Sequence, residues 1–338
     1  MIVIVSEFGT FIHQRSERMV VLNRRSGEEE NEYPFVDMEG VLILNRGITL
    51  TTDLIFELQK RSINMTFIDK KSDAHLSFDN RGAVNDPALI KSQVYASESS
   101  RGCEIARAII MCKLKNQAAI LKFFMKNNSE RMPETISRPV RSSIEKIESF
   151  AEAAAGLEGG DVEKFKSALF LVEAHAAQRY FRAISRILPE EVGFNGRVQR
   201  TPVDQFNMAL NYCYGILKGV VSNYLDKYGI SKYIGMLHSH AADRISFTFD
   251  VMEEFRQATC DLALISFFRN GGRIVVEKGK IELESRRKLA SIFFSRLNSV
   301  FKYNGGETNM AEIIESKIAE IRGLILGEGP HRPFVLKW

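Results

Sequence analysis

"NRGAVNDP", Asn80 to Pro87, is the stretch on which the fold turns. Two asparagines, a glycine and a proline within eight residues interrupt any regular element. The hydrophobic pattern differs on its two sides. Before it, "MIVIV", "RMVVLN", "GVLILN", "NMTFID" and "HLSFD" are short β-branched or apolar runs closed by Gly, Asn or Asp, and they read as strands. "TLTTDLIFELQKRS" reads as a single helix among them, with Thr51 or Thr52 as N-cap. "EEENE", residues 28–32, reads as a solvated loop. After the boundary the period turns helical, over roughly 88–98, 102–126, 141–155, 162–188, 202–227, 247–269, 283–301 and 309–324. "GLEGGD", 156–161, is a connector. The expected architecture is α+β and multidomain: a small β-rich domain over 1–82, a linker at 83–90, and a larger all-helical domain over 91–338.

Composition narrows the class. The 338 residues, 45 % of them hydrophobic, suit two domains with a sizeable core. A net charge of +4 permits a nucleic-acid partner without demanding one. Four scattered cysteines form no CxxC or Cys/His cluster, which argues against a zinc site or a disulfide framework. "MIVIV" is too short for a signal peptide, and no apolar run nears the ~20 residues that span a bilayer. A soluble, cytoplasmic protein with no membrane partner is expected.

One carboxylate then stands out. On a helix over 162–188, at ~100° per residue, Leu169, Phe170, Ala176, Ala177, Tyr180 and Ile184 fall within ~60° of Glu173. Lys164, His175, Gln178, Arg182 and Arg186 project from the other half. Glu173 is therefore centred on the apolar face, where an ionised carboxylate needs compensation. A buried Lys or Arg, a proton, or a metal cation would each serve. Ala176 and Ala177 leave space beside it, and His175 falls on the wet side.

Possible partners lie downstream. In "TPVDQFN", Thr201 reads as N-cap, Pro202 as N1 and Asp204 as N3, a structural role with no chemistry. Asn207 and Asn211 share a helix face. In "GMLHSHAADRISFTFDVMEEFR", His238 and His240 compete as a nitrogen ligand, Ser246 reads as an N-cap, and Asp250 and Glu253 share a face three residues apart. Such a mixed oxygen and nitrogen set suits Mg²⁺ or Mn²⁺ better than structural zinc, although an acidic helix start would read the same way. Lys113, Lys115, Arg179, Arg197, Arg200 and Arg256 flank these carboxylates, as a phosphodiester substrate requires.

Together "KLKNQ" (113–117), "EAHAAQRYF" (173–181), "FNGRVQRTPVDQFNMALNYCYGIL" (194–217), "GMLH" (235–238) and "SFTFDVMEEFR" (246–256) resemble the CRISPR-associated "Cas one" family of metal-dependent endonucleases and integrases. Pro34 and "GITLTTDLIFELQKRSINMTFID" (47–69) resemble that family's N-terminal domain. The resemblance implies a β-sandwich-like N-terminal domain, a helical catalytic domain and a homodimer. It implies Glu173, His238 and Glu253 as catalytic metal ligands for Mg²⁺ or Mn²⁺. Asp250, Tyr180 and Asn207 would lie near the site, and Lys113, Lys115, Arg179, Arg197, Arg200 and Arg256 would bind DNA. The "GxLH" context selects His238 over His240. The implied reaction joins the 3′-hydroxyl ends of a prespacer to a CRISPR array, with a small "Cas two" partner. Two departures are Ala174–His175 after the catalytic Glu and Gln257 where a proline is common. A non-catalytic DNA-binding scaffold, with Glu173 as a core ion pair, and a transposon-type integrase are the competing readings.

Overall fold

The computed structural model describes residues 2–23, 30–38, 40–61, 63–68, 75–78, 86–127, 132–238, 245–277 and 279–336. Most of the "NRGAVNDP" boundary, and His240, lie outside them. Strands β1 (Ile2–Val5), β2 (Thr10–Arg15), β3 (Arg18–Asn23), β4 (Glu30–Pro34), β5 (Gly40–Ile43) and β6 (Thr49–Leu50) precede helix α1 (Thr52–Lys60). Strands β7 (Asn64–Ile68) and β8 (His75–Phe78) follow it. They form two four-stranded sheets, ordered β1-β5-β7-β8 and β4-β3-β2-β6. The first is parallel except for β8, and the second is antiparallel except for β6.

One core lies between the sheets and α1. It holds Val3, Val5, Val41, Ile43 and Met65 from the first sheet, Ile12 and Met19 from the second, and Leu54 and Leu58 from α1. Leu42 and Leu44 point the other way, into the helical core. The first sheet is thus covered on both faces, which is why its strands read as unbroken apolar runs. The β-rich start is sandwich-like, as expected. Thr51 is the cap of α1, its hydroxyl accepting from Leu54 N at 3.4 Å.

Three local expectations are corrected. The described part of "EEENE" is not a loop: residues 30–32 belong to β4, the edge strand that pairs with β3. Charged side chains are common on an edge, where they discourage further pairing. The span 83–90 is not all linker, because helix α2 (Pro87–Ser97) begins inside it, with Asp86 as cap accepting from Ala88 N at 2.9 Å. The remainder is not purely helical either. Helices α3 (Ser100–Lys126), α4 (Glu134–Ala155), α5 (Val162–Ile187), α6 (Gln205–Lys227), α7 (Ser246–Met252), α8 (Leu262–Arg269), α9 (Leu283–Asn298) and α10 (Met310–Leu326) are joined by two hairpins. These are β9 (Val276–Glu277) with β10 (Lys280–Ile281), and β11 (Phe301–Tyr303) with β12 (Gly306–Thr308).

Helices α3, α5 and α6 carry the centre of the large core, with Ile109, Leu114, Ile120, Leu169, Tyr180, Ile184, Phe206 and Leu217 among its residues. A π-helical turn, Gln257–Asp261, links α7 to α8. None of the described helices is long and apolar enough to cross a membrane.

Candidate active site

Helix α5 is amphipathic as read: Leu169, Ala176, Tyr180 and Ile184 are buried, while Lys164, His175, Gln178, Arg182 and Arg186 are exposed. Its Glu173 lies on the wall of a cavity of about 930 Å³. His238, Glu253, Lys113, Arg197 and Arg256 line the same cavity. Helix α3 brings in Lys113, whose ammonium donates to Glu173 and forms an ion pair with Glu253 Oε2 at 2.8 Å. The side chains of Lys113, Glu173 and Glu253 are only 8 %, 16 % and 5 % exposed. Burial disfavours the Lys113 charge, but Glu253 and Glu173 outweigh it and raise its pKa. Burial opposes ionisation of Glu253 too, but Arg256, at 2.8 Å, and Lys113 hold its pKa below the usual carboxylate value.

Asp250 is fully buried and organises His238. Its Oδ2 accepts from Met236 N (2.6 Å) and Leu237 N (2.9 Å), and its Oδ1 from His238 N (3.2 Å). His238 Nδ1 meets Oδ1 at 2.5 Å. A carboxylate that accepts here makes Nδ1 the donor, a tautomer that turns the Nε2 lone pair to a ligand. Gly235 makes this tight loop possible, because a Cβ there would lie 2.7 Å from His238 O and 3.0 Å from Asp250 Oδ2. Ser246 does not cap α7; it is the buried first residue, after Ile245.

Arg197 comes from the loop before α6. Asn207 Oδ1 accepts from Arg197 Nη1 (3.0 Å) and Val198 N (2.9 Å), while Asn207 Nδ2 donates to Gly196 O (2.8 Å). Asn211 Oδ1 accepts from Arg197 Nη2 at 2.6 Å. The two asparagines therefore aim the guanidinium, which also sits over the Tyr214 ring at 5.5 Å, as Arg256 does at 4.8 Å. The cap of α6 is Asp204, accepting from Asn207 N at 2.8 Å; Thr201 stands in a turn at φ 48° instead. Tyr180 does not reach the cavity. Its hydroxyl and that of Tyr214 donate to Asp261 at 2.9 and 2.6 Å. Burial pushes Asp261 up to about 6, against these hydrogen bonds and the charges of Arg256 and Arg197.

Lys115, Arg179 and Arg200 are exposed and do not line the cavity, nor do Asp250 and Asn207, which act from behind it. Sequence reading missed Gln117, Tyr214, Lys218 and Gln257 on its wall. Asn211, Tyr214 and Lys218 recur at helical spacing on α6, a stripe that could have revealed them.

As the side chains stand, no group of three His, Cys, Asp or Glu among the described residues is gathered closely enough to hold a metal ion. The donor set nevertheless fits a hard divalent cation. Two carboxylates already converge on one cation, Lys113, whose ammonium is the one partner of buried Glu253 Oε2 among the described residues. An imidazole oriented by a carboxylate supplies the nitrogen donor.

Fold and site together define a protein with a β-rich start and a larger helical part that holds a basic cleft lined by carboxylates and a histidine. The model of the family "CRISPR associated protein Cas1" matches residues 3–286, and the chain belongs to that family. It is 27 % identical over 347 residues to a CRISPR-associated endonuclease Cas1 of Archaeoglobus fulgidus, covering 99 % of both chains. It is 29 % identical over 265 residues to a CRISPR-associated protein Cas1 of Methanobrevibacter ruminantium, covering 78 % of this chain and 77 % of the relative. Among solved structures, a casposase bound to integration product superposes with a TM-score of 0.77 at 21 % identity, covering 97 % of this chain and 91 % of the other. A Cas1 protein from Thermotoga maritima gives 0.73 at 17 % identity, covering 97 % and 98 %.

Proposed function

We propose that this chain is a divalent-metal-dependent DNA endonuclease and integrase of CRISPR adaptation, joining prespacer 3′-hydroxyl ends to the CRISPR array. The observation that carries this is the convergence of Glu173 and Glu253 on one cation, beside His238, in a cavity that Arg197 and Arg256 also line. The relatives named as endonucleases and the casposase holding its integration product support the same chemistry.

Glu173, His238 Nε2 and Glu253 would hold Mg²⁺ or Mn²⁺. When bound, the ion supplies Lewis-acid stabilisation of the phosphodiester and of the attacking and leaving oxygens. The protein's own residues do the rest. Asp250 keeps the His238 tautomer and ring orientation. Arg256 and Arg197 offset phosphate charge at the cavity wall. Lys113 balances the two carboxylates and is the group that must yield to an ion or to a phosphate. Exposed Lys115, Arg179 and Arg200 serve at most as outlying backbone contacts, whose affinity falls with salt. The partners are a second copy of the chain and, by analogy with a Cas6-RT-Cas1–Cas2 complex and a Cas1–DNA complex of the same fold, the small Cas2 protein and DNA. The protein acts in the cytoplasm.

Strand transfer on branched DNA should require Mg²⁺ or Mn²⁺ and vanish in Glu173→Ala while that variant still folds and binds DNA. Unchanged activity in the variant would overturn the metal-site reading and favour a DNA-binding scaffold with a core ion pair. The casposase likeness favours a second reading, a transposon-type integrase. Terminal inverted repeats beside the gene, in place of a CRISPR array, would select it.

A further inference from the structure

Two amides on the cavity wall carry hydrogen-bonding atoms that the fold leaves unmet. Gln117 follows Lys113 by one turn of α3, and Gln257 follows Glu253 by four residues, at the start of the π-helical turn. Both line the cavity and both are 1 % exposed. Neither Nε2 nor Oε1 of Gln117 has a hydrogen-bond partner among the described residues, and neither does Oε1 of Gln257. The neighbouring amide contrasts with them. Asn116 donates to Phe334 O at 3.0 Å and Glu254 O at 3.3 Å, and accepts from Leu336 N at 2.8 Å. A buried amide without partners is costly to keep, so it signals a ligand that supplies them.

The unmet groups include both a donor and acceptors. A phosphate oxygen only accepts and a metal ion offers no acceptor, so neither satisfies them. A hydroxyl does both through one atom, accepting from Nε2 and donating to Oε1. Deoxyribose has no 2′-hydroxyl, so a DNA strand carries one only at its ends. Resting on the integrase reading above, we propose that Gln117 and Gln257 bind the 3′-terminal hydroxyl of the DNA end and hold it beside Glu173 and Glu253. They are positioning residues for the nucleophile, with no bond made or broken at either amide.

The test compares two duplexes that differ only in a 3′-hydroxyl or a 3′-deoxy terminus. Binding is followed by fluorescence anisotropy in EDTA, so no metal contributes. Wild type should bind the hydroxyl end about tenfold more tightly, the scale of one or two net hydrogen bonds. Gln117→Met and Gln257→Met, which keep the side-chain volume, should each reduce that ratio, and the double variant should bring it to one. The variants should melt at or above the wild-type temperature, because an unmet buried amide has been removed. Equal affinity of wild type for both ends overturns the proposal, and so does a ratio that survives in the double variant. Affinity that follows the terminal base instead of the hydroxyl also overturns it. So do Met variants that melt well below wild type, since that marks a structural role. Wild-type strand transfer without hydroxyl discrimination defeats this inference alone, whereas failure of wild type to join DNA defeats the enzymatic reading.

Discussion

Replacing Lys113 by methionine removes the cation on which the centre closes. The ammonium bonds Glu173 and lies 2.8 Å from Glu253 Oε2, with all three side chains largely shielded from water. Breaking a buried pair by removing one member costs about 3–5 kcal/mol. Two features move this case to the low end, about 3 kcal/mol. Arg256 remains 2.8 Å from Glu253 Oε1, and Glu173 keeps some contact with water at the cavity wall. At about 1.4 °C per kcal/mol for a chain of 338 residues, Lys113→Met should melt about 4 °C below wild type in EDTA. Mn²⁺ should reverse the loss, because the carboxylates no longer hold a competing ammonium. At a hundred times its dissociation constant, a bound ion contributes about 2.7 kcal/mol. Differential scanning fluorimetry with and without MnCl₂ measures both effects. A variant as stable as wild type in EDTA would refute the reasoning. A Mn²⁺ shift no larger in the variant than in wild type would refute it too.

Asp250→Asn should leave DNA affinity intact and slow strand transfer about 10–100-fold, the usual scale for groups that orient a metal-ligating histidine; single-turnover rates would show it. Arg197→Gln should weaken DNA binding and lower the slope of log affinity against log salt by about one, as read from titrations at several salt concentrations. His331, buried between Glu254 (2.9 Å) and Glu320 (3.4 Å), has its pKa lowered by burial but raised more by these carboxylates, to about 9 from 6.5. Its folded value exceeds its unfolded one, so the stabilisation, up to about 3 kcal/mol, is complete below pH ~6.5 and lost as pH rises through ~9. Urea midpoints from pH 6 to 10 should therefore converge for wild type and His331→Gln at the alkaline end, and parallel curves would contradict this.

The parts legible in sequence were those set by local periodicity. Helix α5 is long and strongly amphipathic, so the wheel placed Glu173 on the buried side, as found. The continuous apolar runs of β1 and β5 read as strands, as found. What was not legible depends on contacts between distant residues. Lys113 read as a DNA-binding lysine, yet it is buried between Glu173, 60 positions away, and Glu253. Arg179 and Lys115 were read as basic residues flanking the carboxylates, but residues close in a helical sequence point in different directions, and both reach solvent. Thr201, Pro202 and Asp204 fit a capping pattern; only the turn geometry at Thr201 moved the cap to Asp204. The edge strand β4 hid behind its own charges.

The most direct test is anomalous diffraction from a crystal soaked in Mn²⁺. The account predicts one strong peak about 2.1 Å from carboxylate oxygens of Glu173 and Glu253 and close to His238 Nε2, with the Lys113 ammonium withdrawn from the carboxylates. An empty centre in which Lys113 still bridges Glu173 and Glu253 at saturating Mn²⁺ would contradict it.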